Sequence, residues 1–318
     1  MNEPITNFEA DALTASKGLF QERWDILKRN RMAYASFLFL VFLLGLATLG
    51  KVFTQVVVVF DPKVVRLSEK FLPPLTSFTS TLTPKEDAPT LGIYLLGTDE
   101  LGRDVFARML EGTSVSLTVG FVAVGISLTV GIFFGGLAGF YGRVKLGFIT
   151  VDTLLMRFVD IMLCFPTFFL ILTVVALLPP SIYNIMIVIG LTSWMGTARF
   201  VRAEFLSLRD QDFVIAARSQ AIPEWRIIFI HMVPNAIAPV LVSATFGVAA
   251  AILTESTMSF LGLGDITVPS WGQILSTGRT TGSWVMILAP GFAIFVTVSL
   301  LNLLGEGVRD ALDPKLRK

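Results

Sequence analysis

Apolar positions in this chain gather into long unbroken stretches rather than alternating with polar ones. A helix that crosses a hydrocarbon core of about 30 Å needs roughly 20 mostly apolar residues. Six stretches approach that length: 33–50 with an apolar extension at 56–60, about 114–141, 161–178, 182–198, 236–254 and 284–304. Each is predicted to be helical, because inside a bilayer only a helix satisfies its own backbone hydrogen bonds. Pro179 and Pro180 end the third stretch, while Pro239 and Pro290 lie inside the fifth and sixth, where a missing N–H predicts kinks. Gly131, Gly135 and Gly139 recur every four residues on one face of the second stretch, a spacing that lets two helices approach closely. Packing within the chain and a place along a translocation path are both open readings of that face. The predicted fold class is all-α, a polytopic membrane protein with about six transmembrane helices.

Composition agrees with this. Of 318 residues, 53% are hydrophobic and 15% charged, against about 25% charged in soluble domains. A net charge of +1 gives no sign of a nucleic-acid partner. The chain divides into a segment 1–32, a first span 33–60, a long polar loop 61–111, and a core 112–318 that holds a charged loop at 199–235. Basic residues orient the spans. Lys17, Arg23, Lys28, Arg29 and Arg31 precede the first span. Arg143, Lys145 and Arg157, then Arg199, Arg202, Arg209, Arg218 and Arg226, then Arg309, Lys315, Arg317 and Lys318 fall on the same side. The opposite connections carry almost none: 179–181 has no charge and 255–283 has Arg279 as its only base. The loop 61–111 has six bases but also eight acids, and is long enough to translocate regardless. Both termini are therefore predicted to be cytoplasmic. No cleaved leader is expected, since the first apolar run starts at residue 33 after a mixed-charge segment.

Candidate chemistry is sparse. One cysteine, Cys164, and one histidine, His231, argue against a disulfide framework or a Cys/His metal site. Cys164 reads as a small buried residue. Asp152, Arg157 and Asp160 sit at the start of the third span, Glu255 ends the fifth and Glu306 the sixth, so span interiors carry no ionisable group. That weighs against an ion-coupled carrier and against a membrane enzyme. No phosphate-cradling loop is present. No catalytic residue, metal or cofactor is expected, and energy for any transport must come from a partner.

The loop 199–235 is the segment suited to receive it. Residues 212–220 read as a short helix. Pro223 suits the first position of a second, Glu224 its first turn, and Trp225, Ile228 and Phe229 an apolar face. Pro234 and Asn235 are expected to break the chain before the fifth span. Such a pair makes a knob that another protein can grip; a solvated connector is the plainer alternative.

Ala216-Ala217, Ala221, Ile227-Ile228 and the run from His231 to Asn235 resemble the EAA loop of bacterial ABC-importer permeases, with Ile215 where that family has Glu and Ala221 where it has Gly. The resemblance implies that this loop couples to an ATPase through Ala216, Ala217, Arg218, Ala221, Pro223, His231, Pro234 and Asn235. Three further stretches are similar to signatures of the C-type subunit of oligopeptide and dipeptide permeases. They are Gly97-Thr98-Asp99-Glu100-Leu101-Gly102-Arg103-Asp104, Met258 to Gly264 with Pro269-Ser270-Trp271-Gly272, and Asn302 to Pro314. With the approach from Trp24 to Arg31, the likeness covers nearly all of the chain except about 55–92. Within it, Thr98 is expected to cap an interfacial helix carrying Asp99 and Glu100, as support for the second span or as a contact for a binding protein.

The resemblance implies a type I, MetI-like permease fold in a bacterial inner membrane. It implies a homologous second permease, two cytoplasmic ATPase subunits and an extracytoplasmic solute-binding protein as partners, besides membrane lipid. Peptides are the implied cargo, with nickel or other small solutes carried by close relatives. A stand-alone channel or secondary carrier is the reading from another class.

Overall fold

The computed structural model describes residues 19–57, 59–78 and 91–312. The basic positions Lys17, Lys315, Arg317 and Lys318 lie outside them. The helices are longer than the apolar stretches that predict them, because polar turns continue several of them past the bilayer. After α1 (Leu19–Arg29) comes α2 (Arg31–Lys51). Asn30 caps α2, its Oδ1 accepting the Ala33 N–H at 3.2 Å, and α2 relaxes into a π turn at Val52–Val56. α3 (Val105–Phe140) has 36 residues, or about 54 Å at 1.5 Å per residue, and so reaches beyond the hydrocarbon at its ends. α4 (Val151–Leu163) and α5 (Thr167–Leu177) are bent by 79°. α6 (Ile182–Arg209), α7 (Asp212–Ser219), α8 (Val233–Phe260), α9 (Trp271–Thr281) and α10 (Trp284–Leu312) follow. The described elements also include a 3-10 turn at Leu67–Glu69 and two antiparallel pairs of two-residue strands, β1 (Thr76–Ser77) with β2 (Ile93–Tyr94) and β3 (Lys145–Leu146) with β4 (Ile149–Thr150).

Several expectations change. The third span is not one straight helix over 161–178 but the bent pair α4–α5. Pro166 offers no N–H to the Met162 carbonyl and disfavours helical backbone at Phe165. Cys164, in the corner of that bend, is exposed rather than buried. Pro234 and Asn235 do not break the chain. A helical turn at Glu224–Arg226 widens into a π turn at Ile227–Met232 and runs on as α8. The wider turn absorbs the N–H that Pro234 lacks, while Asn235 Nδ2 donates to the His231 carbonyl at 2.6 Å. No separate interfacial helix starts at Thr98. Residues 98–104 form a tight loop closed by a bridge between Thr98 and Asp104, and Asp104 caps α3 by accepting the Phe106 N–H at 2.8 Å. Gly102 stands at φ +70 with a Cβ position 1.8 Å from the Arg66 carbonyl, a place only glycine fills and one that no helix passes through.

α3 and α6 share the most extensive contact of the bundle. The glycine ladder makes that contact close: a Cβ on Gly131 would stand 2.6 Å from Thr197 Cβ, one on Gly135 2.4 Å from the Ala198 carbonyl oxygen, and one on Gly139 2.4 Å from Phe205 Cβ. Of the two readings of this face, packing within the chain is what the structure shows. The main core gathers Val119 and Ala123 of α3, Ile185 and Ile189 of α6, Val248 and Ile252 of α8, and Trp271 of α9. A second cluster closes the end where α3 stops and α8 begins, hereafter the knob end. The opposite, cap end carries residues 59–78 and 91–104.

Burial at the cap end also departs from expectation. The stretch 255–283 is not a loop: α9 lies sunk among α3, α8 and α10, with Trp271 and Ile274 fully buried. Glu255 does not end the fifth span in solvent. It is buried inside α8, accepting from Ser259 Oγ and Ser270 Oγ at 2.7 Å each and lying 3.4 Å from Ser256 Oγ. Ser270 in turn caps α9 through the Gln273 N–H at 3.1 Å, so one carboxylate ties α8 to the start of α9. Arg108 of α3, also buried, donates to Gln273 Oε1 at 2.6 Å. Tyr94 is buried beneath Arg66 and bonds Glu69. Burial, then that hydrogen bond, push its phenol well above its ordinary range.

Candidate coupling site

The knob is built from residues 210–235. α7 exists because Val214 and Ala217, three apart on one face, fit a cluster made by Phe140, Phe205, Leu208, Ile227 and Met232. Its end is a Schellman motif. Ala221 takes a left-handed conformation at φ +53 and its N–H reaches the Arg218 carbonyl at 2.9 Å, while the Ile222 N–H reaches the Ala217 carbonyl at 3.1 Å. Ile222 packs into the same cluster as Ala217, the apolar contact that accompanies such caps. This is a position where glycine costs nothing in strain. Left-handed backbone costs a non-glycine residue about 1–2 kcal/mol, against roughly 0.5–1 kcal/mol for the extra chain entropy of glycine. Ala221→Gly is therefore expected to stabilise the turn by up to about 1 kcal/mol, read as amide exchange over residues 212–223 slowing up to about fivefold. Faster exchange in the variant would refute the capping assignment.

The structure brings the sequence-predicted residues onto one protrusion but not onto one face. Ala216, Arg218, Ala221, Pro223, Pro234 and Asn235 are exposed, His231 is half-buried, and Ala217 points inward. Ala217 therefore holds the knob together. Trp225 and Phe229, assigned to an apolar face from the sequence, are 59% and 65% exposed, and they are joined on the surface by two residues that pattern reading missed, Ile215 at 52% and Ile230 at 53%. Ile228, assigned to the same face from the sequence, instead packs against the cluster. The missed signal lay in Ile215: an apolar residue beside a residue that packs inward, on a helix too short to bury both.

Polar contacts root the knob in the spans. Arg218 stacks over the Phe140 ring at 5.1 Å, and Tyr141 Oη donates to Glu224 Oε2 at 2.8 Å. Partial burial and that carboxylate raise the Tyr141 phenol. Arg209, buried, donates to the Gly139 carbonyl at 3.2 Å. Arg202 with Asp152 and Arg199 with Asp160 pair α6 with α4. The exposed Arg143–Asp210 pair at 4.0 Å adds little.

Between α3, α6 and α8 a groove of about 270 Å³ is lined by Ser127, Ser193, Gly196, Thr197, Ser243 and Thr254 among others, with no ionisable side chain. Hydroxyls and small residues there leave weakly polar space at mid-bundle depth. The sequence did not single these positions out, because single hydroxyls within an apolar run, such as Ser243 and Thr254 bonded back to their own helix, read as ordinary span residues.

Residues 127–318 match the family described as the binding-protein-dependent transport system inner membrane component, and residues 18–74 match the N-terminal TM domain of oligopeptide transport permease C. The dipeptide transport system permease protein DppC of Bacillus subtilis (strain 168) is 34% identical over 98% of this chain and 91% of its own length. The oligopeptide transport system permease protein OppC of the same organism is 31% identical over 100% of this chain and 98% of its own. DppC of Alkalihalophilus pseudofirmus is 42% identical over 70% of this chain and 73% of its own. A chain of the MetNI methionine ABC transporter, solved in inward-facing conformations, superposes with a TM-score of 0.51 at 17% identity, covering 64% of this chain and 96% of that one. That likeness is one of fold, the type I permease arrangement expected from the sequence. The chain thus belongs to the family of binding-protein-dependent transport system inner membrane components, in the branch that holds the DppC and OppC permease proteins.

Proposed function

We propose that this chain is one of two permease subunits in an ATP-binding-cassette importer of di- and oligopeptides. It pairs with a homologous permease, is driven by two ATPase subunits at the knob end, and takes cargo from a solute-binding protein at the cap end. The names of the relatives support the cargo. The charge distribution supports the orientation: Arg143, Arg157, Arg199, Arg202, Arg209, Arg218 and Arg226 all lie at the knob end, which is then cytoplasmic together with both termini. The chain itself performs no covalent step.

One observation carries the mechanism. The exposed apolar residues Trp225 and Phe229 sit on a helical path that passes through the π turn into α8 without interruption. A push on the knob by an ATPase therefore rotates or shifts a transmembrane helix that lines the hydroxyl groove. The coupling residues Ala216, Arg218, Ala221 and Pro223 border the same surface. His231, Pro234 and Asn235 lie on the turns that join the knob to α8, and Ala217 is the inner support.

The test is the full complex with its binding protein, in proteoliposomes. Phe229→Asp places a charge in a surface meant for an apolar partner. We expect it to lower ATP-dependent dipeptide uptake at least about tenfold, and to reduce co-purification of the ATPases, as loss of a buried aromatic anchor costs about 2 kcal/mol or more. Insertion and thermal stability should be unchanged, since the ring is mostly exposed. Uptake at the normal rate in the variant, or uphill transport by the chain without ATPases, would overturn the reading.

A further inference from the structure

At the cap end a cavity of about 250 Å³ lies between the end of α2, the start of α3, the start of α6 and residues 267–268. Lys51, Gln55, Lys63, Glu111, Thr118 and Tyr183 are among its lining. Glu111 is 3% exposed. Its Oε1 accepts Gln55 Nε2 at 2.9 Å, while Oε2 is buried with no hydrogen-bond partner among the described residues. Arg108, one turn earlier on α3, does not complete it: its guanidinium is held by Gln273 Oε1 at 2.6 Å and stands 3.6 Å from Asp99. Lys51 and Lys63 are exposed, and neither forms an ion pair among the described residues.

A buried carboxylate with an unmatched oxygen is costly to leave incomplete. A primary ammonium, with three donors, completes it, and two lysines at the same cavity favour an anionic group on the same ligand. We propose that this cavity binds a zwitterion, with its ammonium at Glu111 and its anionic end toward Lys51 and Lys63. The occupant is an unblocked short peptide on its way inward. This rests on the importer reading above and names the part of the cargo that the chain itself recognises. The location fits entry. The hydroxyl groove begins on the same two helices at Ala123 and Ile189, five residues past Thr118 and three past Met186 of the cavity lining, or about 5–8 Å along the helices.

A phosphatidylethanolamine headgroup offers the same ammonium-plus-anion chemistry, so the experiment must separate the two. The assembled transporter, without its binding protein, is placed in phosphatidylcholine nanodiscs and titrated calorimetrically with alanyl-alanine and with N-acetyl-alanyl-alanine. We expect the free dipeptide to bind at least tenfold more tightly than the acetylated one. Glu111→Gln, which keeps the shape and a hydrogen bond to Gln55, should abolish that preference without moving the thermal unfolding midpoint. In the native chain alanyl-alanine should also bind more tightly than alanyl-alaninamide, and Lys51→Gln with Lys63→Gln should weaken the free dipeptide and abolish that second preference. Equal binding of free and acetylated peptide, or an unaltered preference in Glu111→Gln, overturns the site. If phosphatidylethanolamine added to the discs removes dipeptide binding in the native chain, the site belongs to the headgroup and the cargo assignment falls. Should the complex with its binding protein still import dipeptide when no binding is seen here, this site fails and the importer reading stands. If it imports no dipeptide at all, the importer reading fails.

Discussion

Replacing Gly135 with leucine is expected to prevent the bundle from assembling in its native form, and the same substitution at Gly125 is expected to be tolerated. The two glycines lie on one helix, α3, ten residues apart. A Cβ at Gly135 would meet the Ala198 carbonyl oxygen at 2.4 Å and Val201 Cβ at 2.9 Å, and the first of these is backbone, which cannot rotate away. A Cβ at Gly125 meets nothing within 4 Å. Removing glycine from a helix interior gains roughly 0.5–1 kcal/mol, whereas overpacking a tight contact costs about 1–3 kcal/mol and occasionally more. For leucine at Gly135 the steric term wins, because α6 must separate from α3 along its whole contact. The measurement is monodispersity and thermal unfolding of the purified chain in nanodiscs. Equal behaviour of the two variants would show that the α3–α6 contact is not as close as described.

Loss of the Asp99 carboxylate is the second large effect. Asp99 is fully buried and accepts from the Leu101 and Arg103 N–H groups at 2.9 Å each and from Arg103 Nε at 2.7 Å, with Arg108 Nε 3.6 Å away. Asp99→Ala leaves two backbone donors and the Nε of Arg103 unmatched, and removes the carboxylate nearest Arg108, in a site that is largely buried. Breaking a buried pair by removing one partner costs about 3–5 kcal/mol. The cap should loosen, seen as protease cleavage within residues 59–78 or 91–104 under conditions where the native chain is not cut there. Asp99→Asn retains one acceptor and should fall between the two. If Asp99→Ala resists protease like the native chain, the carboxylate is not the hub of this loop. The outcome also bears on the entry cavity: Asp99 and Gln273 engage the Arg108 guanidinium, one turn from Glu111 on α3.

These two sites show how far local pattern goes. The ladder at Gly131, Gly135 and Gly139 was legible as a close-packing face, since spacing alone puts small residues on one side of a helix. Its partner helix was not legible, because that depends on which faces α3 and α6 turn to each other. The loop from Gly97 to Asp104 was legible as a motif, but Thr98 was given the capping role that Asp104 holds. Both are good N-caps, and the choice between them was made by Gly102, whose left-handed backbone lies against Arg66 from a distant part of the chain. Likewise Pro234 predicted a break, and neighbouring packing by Met232 and Ala236 carried the helix through it as a π turn.

The amino-acid sequence by itself determined that this chain crosses a membrane about six times and carries a patterned loop between its fourth and fifth spans. Those follow from transfer free energy and from hydrogen-bonding demand, which act on each segment separately. Only the tertiary structure decided that Ala217 faces inward while Ile215, Trp225 and Phe229 face out, that Glu255 and Glu111 are buried, and that α9 lies inside the bundle. Burial is a property of what packs against a residue. The neighbours that settle it lie on other elements, as Gln55 does for Glu111, Ser270 for Glu255 and Phe140 for Ala217.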